Sequence, residues 1–366
     1  MHNKNINKKL ITLSLAATLV FSAVACGTTS GNDETGTKSN ASVEDNGVEN
    51  VALTPEDFNI DDVGEFTIRV GVNSGDQNQV LKILDDHTNF LKDRGINLET
   101  TEFAAGINTI DAITTGQLDV GLFADYAGVN RIGNTLADTK LRAFAMIAKS
   151  DSTYLYVNPD TVTKAEDLAG KTVINMPGVV TEYEYGKLFE TYGIDPASVE
   201  FANVSSAQEA LALATNDSAD AFWVGRINWS KFEEVGWTPL LNIGDIDATM
   251  YTYLVADESY LLEHEAEVAK FLAVSNEAFE YVENNLDEVA QWEEDDLGLA
   301  KELAIENWKA ATHEYTFPQE AYEDLLKVEA WCYQNGNFPT DYDFTDFINT
   351  DALYLVNGDK VTWQPK

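Results

Sequence analysis

Short apolar runs rich in β-branched residues alternate with segments of helical periodicity, and the alternation runs twice along the chain. Residues 67–72 read as a buried strand. The next segment places Val80, Ile83, Leu84, Phe90 and Leu91 near a period of 3.6, with His87 filling the missing turn. Strands are expected at 98–103 and 118–123 with a helix at 107–115 between them, then at 141–148 and 153–157. Strands separated by helices require right-handed crossovers and a mostly parallel sheet. The pattern then restarts, with strands at 171–175, 199–204 and 219–224 and helices at 180–192 and 206–215. A shared phrase marks the two halves. Glu102-Phe103-Ala104, a helix and Leu118-Asp119-Val120 are matched by Glu200-Phe201-Ala202, a helix and Ala219-Asp220-Ala221. Two similar α/β lobes fit this better than one long sheet. A further strand at 249–255 precedes a long helical stretch. The chain is therefore expected to leave the first lobe near 154–157 and return near 251–255, the two crossing strands forming a hinge beneath a cleft. Ligands of open α/β sheets bind beyond the carboxyl ends of the strands.

The start of the chain bears on compartment. Lys4, Lys8 and Lys9 precede an apolar run, residues 10–25, that is too short for a stable membrane span and reads as a signal peptide. It ends in Ala23-Val24-Ala25-Cys26-Gly27, where small residues lead into a cysteine, the pattern at which a bacterial lipoprotein is cleaved and acylated. Ala23 stands where the strongest form of that signal has leucine, and Ala23-Val24-Ala25 also suits an ordinary signal peptidase. Cys332 is the other cysteine, so with Cys26 acylated no intrachain disulfide forms. Residues 27–49 are polar, contain no aromatic side chain and cannot bury enough apolar surface to fold, as expected of a tether. The expected organisation is a signal peptide at 1–25, a lipid-anchored linker at 26–62, a first lobe at 63–155, a second at 156–248, and a return to the first with C-terminal helices at 249–366.

The formal net charge of -39 argues against nucleic acid and against lying on an anionic membrane. Much of it falls on helical stretches such as 263–283 and reads as a solvated outer face.

Several motifs carry a resemblance. The opening strand at 68–72, Phe103-Ala104-Ala105-Gly106, Gly116-Gln117-Leu118-Asp119-Val120-Gly121, and Asp167-Leu168-Ala169-Gly170-Lys171-Thr172-Val173 occur in this order, followed by Tyr192-Gly193-Ile194-Asp195-Pro196 and Ala219-Asp220-Ala221-Phe222. In order and spacing they resemble the binding proteins of nitrate, sulfonate and taurine ABC importers, a class that includes binders of the pyrimidine precursor of thiamine. The resemblance implies a two-lobed periplasmic-binding-protein-like fold of type II. It also implies a monomeric receptor on the outer face of a bacterial membrane, held only by its lipid, that closes on a small solute and delivers it to a permease driven by an ATPase. No cofactor is expected.

The candidate contacts lie after strand ends. Ser74, Asp76 and Gln77 open the first helix and are candidates to hold an anionic head group, although Ser74 or Asp76 serves equally as a helix cap. Asp125 and Tyr126 follow the strand at 118–123, where the aspartate either accepts from an amine or caps a helix. In the second lobe the turn to the helix at 180–192 offers Val179, Thr181 and Glu182. There Glu182 and Glu184 also favour the positive end of the helix dipole. Trp223 is a candidate wall for a ring or an ordinary core residue. Arg226 pairs either with a sulfonate or carboxylate, or with a nearby acidic side chain. Tyr154 and Tyr251 lie near the crossings.

No catalytic constellation accompanies these residues. His87, His264 and His313 are too scattered for zinc. Ser74 is one place late for a nucleophile elbow. Gly170-Lys171-Thr172 lacks the first glycine of a phosphate loop, with Ala165 in its place, and residues 341–346 lack the turn glycine of a calcium loop. The leading expectation is a receptor for a sulfonate- or taurine-like anion or zwitterion. The alternative is an aminopyrimidine-like aromatic, suggested by Phe123, Tyr126, Tyr183, Trp223 and Trp229 among carboxylates. A surface enzyme on the same scaffold is the third.

Overall fold

The structure, a computed structural model, describes residues 53–73, 77–103, 106–136 and 138–365, with the side chain of Gln77 also left out. The expectations for the signal peptide, for Cys26 and for most of the linker fall outside the described residues.

Two five-stranded sheets form the frame. The first holds β1 (Phe66–Val72), β2 (Ile96–Glu102), β3 (Val120–Ala124), β4 (Leu141–Ser150) and the late strand β10 (Met250–Asp257), in the order β2-β1-β3-β10-β4. The second holds β5 (Thr153–Val157), β6 (Thr172–Asn175), β7 (Glu200–Asn203), β8 (Ala221–Gly225) and β9 (Thr238–Asn242), in the order β7-β6-β8-β5-β9. In each sheet one strand runs against the other four. β10 is antiparallel to β3 and β4, and β5 is antiparallel to β8 and β9. The remaining neighbours, β1 with β2 and β3, and β6 with β7 and β8, are parallel.

The two reversed strands are the ones delivered by the crossings, and their register fixes the geometry of the cleft. Thr153, the first residue of β5, pairs with Gly225 at the carboxyl end of β8. Thr252 of β10 pairs with Ala124 at the carboxyl end of β3, and Met250 pairs with Ser150 at the end of β4. Both crossings therefore enter at carboxyl edges, and the two carboxyl edges share one boundary. All of β5 pairs in the second sheet, so the chain has crossed by Ser152. Tyr154 and Leu155, expected in the first lobe, belong to the second. The strand β9 was not foreseen. Pro239 breaks its pattern, and it is tolerated because β9 is an edge strand and Pro239 lies at a register shift opposite Tyr156.

Helices α1 (Gln77–Thr88), α2 (Ile107–Thr114) and α3 (Asp125–Thr135) serve the first lobe, and α4 (Thr181–Tyr192), α5 (Ala207–Thr215) and α6 (Trp229–Glu234) the second. After β10 come α7 (Glu258–Glu263), α8 (Glu265–Asn284), α9 (Leu286–Leu297), α10 (Lys301–Lys309), α11 (Gln319–Gln334) and α12 (Asp351–Asn357). Helix α8 shows why they dock: Val268, Phe271, Leu272, Ser275, Ala278, Phe279 and Val282 form one buried stripe. One apolar core runs from Ile68 and Val70 through Leu155 and Val173 to Leu325 and Val328 of α11. A smaller core, with Ile174, Phe222, Phe232 and Trp237, fills the far face of the second sheet.

Candidate ligand cleft at the carboxyl edges

Strand β3 runs into α3 without a loop, and this sets Asp125 in the wall. Its side chain is buried. Oδ1 accepts from Tyr126 N at 2.6 Å and Oδ2 from Tyr251 N at 2.7 Å, tying the start of α3 to the returning strand β10. The charge of Asp324 on α11 also acts on this carboxyl. Burial first, and the Asp324 charge second, push the Asp125 pKa well up, outweighing the two N–H bonds. Buried as well as engaged through both oxygens, Asp125 is not positioned to receive a ligand amine. It is a structural node.

Tyr126 crosses the boundary. Its Oη donates to Glu182 Oε2 at 2.8 Å and accepts from Asn337 Nδ2 at 2.9 Å. Its ring stacks on Tyr183 with centroids 6.0 Å apart. In the second lobe Gly178, with φ +78°, turns the chain after β6. Thr181 is buried and staples that turn: its hydroxyl donates to Asn175 Oδ1 at 3.0 Å and accepts from Met176 N at 3.2 Å. Thr181 thus shapes the loop and does not face a solute. Glu182 Oε1 accepts from Gly178 N at 3.2 Å, which fixes the carboxylate at the start of α4, and Val179 is partly exposed beside it. Glu184, two residues on, is buried with Oε2 unpartnered among the described residues, and burial lifts its pKa to about 8.

Trp223 is 2 % exposed and packs 6.2 Å from the Tyr185 ring, so it is core and not an open wall. Its indole N–H has no partner among the described residues. Arg226 follows β8 directly. Its Nη2 donates to Ser152 Oγ at 3.3 Å on the first crossing, and its guanidinium lies 4.8 Å from the Trp229 ring centroid. Among the described residues it pairs with no carboxylate, so the alternative of a salt bridge finds no partner among them. Tyr154 packs edge-on against Trp229 at 5.0 Å. Ser74 and Asp76 lie outside the described residues, and Gln77 opens α1.

Helix α11 supplies what the motifs did not indicate. Lys327 Nζ lies 3.0 Å from Asp324 Oδ1 and 3.2 Å from Asp247 Oδ1, on the returning crossing. Trp331 donates from Nε1 to Glu190 Oε1 at 2.9 Å and packs edge-on against Tyr183 at 5.1 Å. One signal for this contact was visible. Gly186 interrupts a helical stretch, and a Cβ there would lie 2.1 Å from Trp331 Cζ2.

Residues 80–289, more than half of the chain, match the protein family described as NMT1/THI5 like. The chain belongs to the NMT1/THI5-like family. Among curated relatives, "Putative binding protein YtlA" of Bacillus subtilis is 24% identical over 305 residues, 74% of this chain and 84% of that one. The taurine-binding periplasmic protein of Escherichia coli is 22% identical over 200 residues, 53% of this chain and 60% of that one. The crystal structure of the aliphatic sulphonate binding protein SsuA from Escherichia coli superposes with a TM-score of 0.67 at 17% identity, over 78% of this chain and 98% of that one. The desulfurization enzyme DSZB shares the architecture, with a TM-score of 0.59 at 12% identity over 80% and 99% of the two chains. The fold of this NMT1/THI5-like protein is that of the periplasmic binding proteins. Among the described residues no helix is long and apolar enough to cross a membrane.

Proposed function

We propose that this chain captures a small zwitterion with a sulfonate-like head, taurine being the pattern, between its lobes and hands it to an ABC permease. Arg226 carries the reading. It is a cation at the carboxyl edge of β8, steadied by Ser152 and Trp229 and paired with no acidic side chain among the described residues. Its planar donor fork matches a sulfonate or carboxylate. Glu182 follows β6, the strand next to β8, so opposite charges stand at neighbouring strand ends of one sheet. A solute with an anion at one end and an amine at the other suits that pair better than a bare anion does. The named taurine- and sulphonate-binding relatives support the same class.

Acylation at Cys26, an outward-facing monomer and closure around the solute belong to the same proposal. An amine-bearing aromatic is the second reading, favoured by the buried unpartnered oxygen of Glu184. The enzyme reading gains no support from the cleft. The Thr181 hydroxyl is directed to Asn175 and Ser152 is met by Arg226, so neither faces a base.

A thermal-shift panel tests the class. Ligands that bind only the folded state raise the melting point with the logarithm of their concentration. Taurine and short alkanesulfonates should raise it while aminopyrimidines leave it unchanged. A shift with aminopyrimidines alone would replace the sulfonate reading by the aromatic one.

A further inference from the structure

Helix α11 is anchored in the first lobe. Tyr253 of β10 donates from Oη to Ala321 O at 2.8 Å, and just past the helix Asn337 O accepts from Asn134 Nδ2 of α3 at 3.1 Å. Its last turn nevertheless lies against α4 of the second lobe. Glu182, Tyr183, Gly186 and Glu190 of α4 meet first-lobe side chains, and their spacing puts them in one stripe along the helix. Trp331 covers the last three. Its ring stands edge-on to Tyr183 with centroids 5.1 Å apart, and Nε1 donates to Glu190 Oε1 at 2.9 Å. Between those two contacts the indole lies over Gly186, where a Cβ would overlap Cζ2.

We propose that Trp331 is a positioning residue for lobe closure: seated over Gly186, it holds α4 against α11 in advance of the solute. The solute then completes a closure that this contact already favours. The proposal rests on the reading of the chain as a closing receptor, and not on which solute it carries.

The seat is built to be left as well as taken. The indole is only partly buried, so it gives up less apolar contact on leaving than a core ring would. Glu190 also lies 3.7 Å from Lys187 Nζ, so its carboxylate keeps a partner when the indole goes. Gly186 sits inside α4 without a positive φ, and helix propensity there favours alanine. What the position requires glycine for is the ring above it. Gly186→Ala therefore keeps α4 helical and pushes the half-exposed indole off its seat. Fewer ligand-free molecules are then closed, and apparent affinity falls by the same fraction.

The test reads the α4–α11 separation from spin labels on Thr191→Cys and Gln334→Cys, both exposed, in full-length ligand-free protein carrying Cys26→Ser, with the buried Cys332 unlabelled. The parent protein should show a short-distance population that Gly186→Ala and Trp331→Ala each deplete. Adding Gly186→Ala to Trp331→Ala should deplete it no further, since the added Cβ has lost its obstacle. Trp331→Phe, whose smaller ring leaves room for that Cβ, should restore part of the population in the Gly186→Ala protein. The apparent Kd for taurine should weaken by about 3- to 10-fold in Gly186→Ala. The distance readout needs no solute, so it decides the matter even if taurine does not bind. Should Gly186→Ala lose its fold, Trp331→Ala takes its place. An unchanged distance distribution in the variants overturns the proposal, and so does a ligand-free parent protein without the short population. Equal shortening by taurine in parent and variants would leave closure standing and remove Trp331 from it.

Discussion

Gly128→Ala should destabilise the folded unit by about 2 to 3 kcal/mol, seen as a lower midpoint in urea denaturation. In most helices this exchange stabilises by about 1 kcal/mol, because glycine has the more costly backbone entropy. Here the added Cβ would lie 2.1 Å from Phe123 Cδ2 and 2.3 Å from Cε2. The Phe123 ring is fully buried and packs 5.9 Å from Tyr253, so it has nowhere to move. The clash outweighs the helix gain, and α3 must lift from β3, taking Asp125 and Tyr126 with it. Pairing Gly128→Ala with Phe123→Leu should recover part of the loss. A stabilised single variant would mean that α3 is not seated as described.

Arg226→Ala should weaken binding of the sulfonate zwitterion by about 2 to 4 kcal/mol, roughly 30- to 1000-fold in Kd, by calorimetry. Stability should change little, because the side chain is half-exposed and among the described residues makes one hydrogen bond, to Ser152. Glu182→Gln should weaken a zwitterion while sparing an alkanesulfonate that has no amine, since the neutral amide keeps the shape of the loop. Loss of both ligands would show that Glu182 acts by closing the lobes through Tyr126, and equal binding by Arg226→Ala would remove the anion from the proposal.

The lobes were legible because their inner strands are β-branched runs separated by helical periods, and period alone separates the two. β9 was not, since an edge strand with Pro239 lacks that pattern. Positions at strand ends were also readable. Asp125, Glu182 and Arg226 all stand at carboxyl edges, because topology places every such end there. What each side chain does there was not readable, because it depends on partners far along the chain. Asp125 is claimed by Tyr251, and Tyr126 by Glu182 and Asn337, none of which is adjacent to it in sequence. Trp223 looked equally like a wall or a core residue, and its neighbour Tyr185 on α4 makes it core. Helix α11 escaped notice for the same reason. Its function lies in what it touches, and no local pattern carries that.

Small-angle scattering of the protein with and without saturating ligand tests the central claim most directly. Two lobes joined by two crossings and closing over a solute at their facing carboxyl edges should give a smaller radius of gyration when ligand binds. A radius unchanged by a ligand that demonstrably binds would contradict capture by closure.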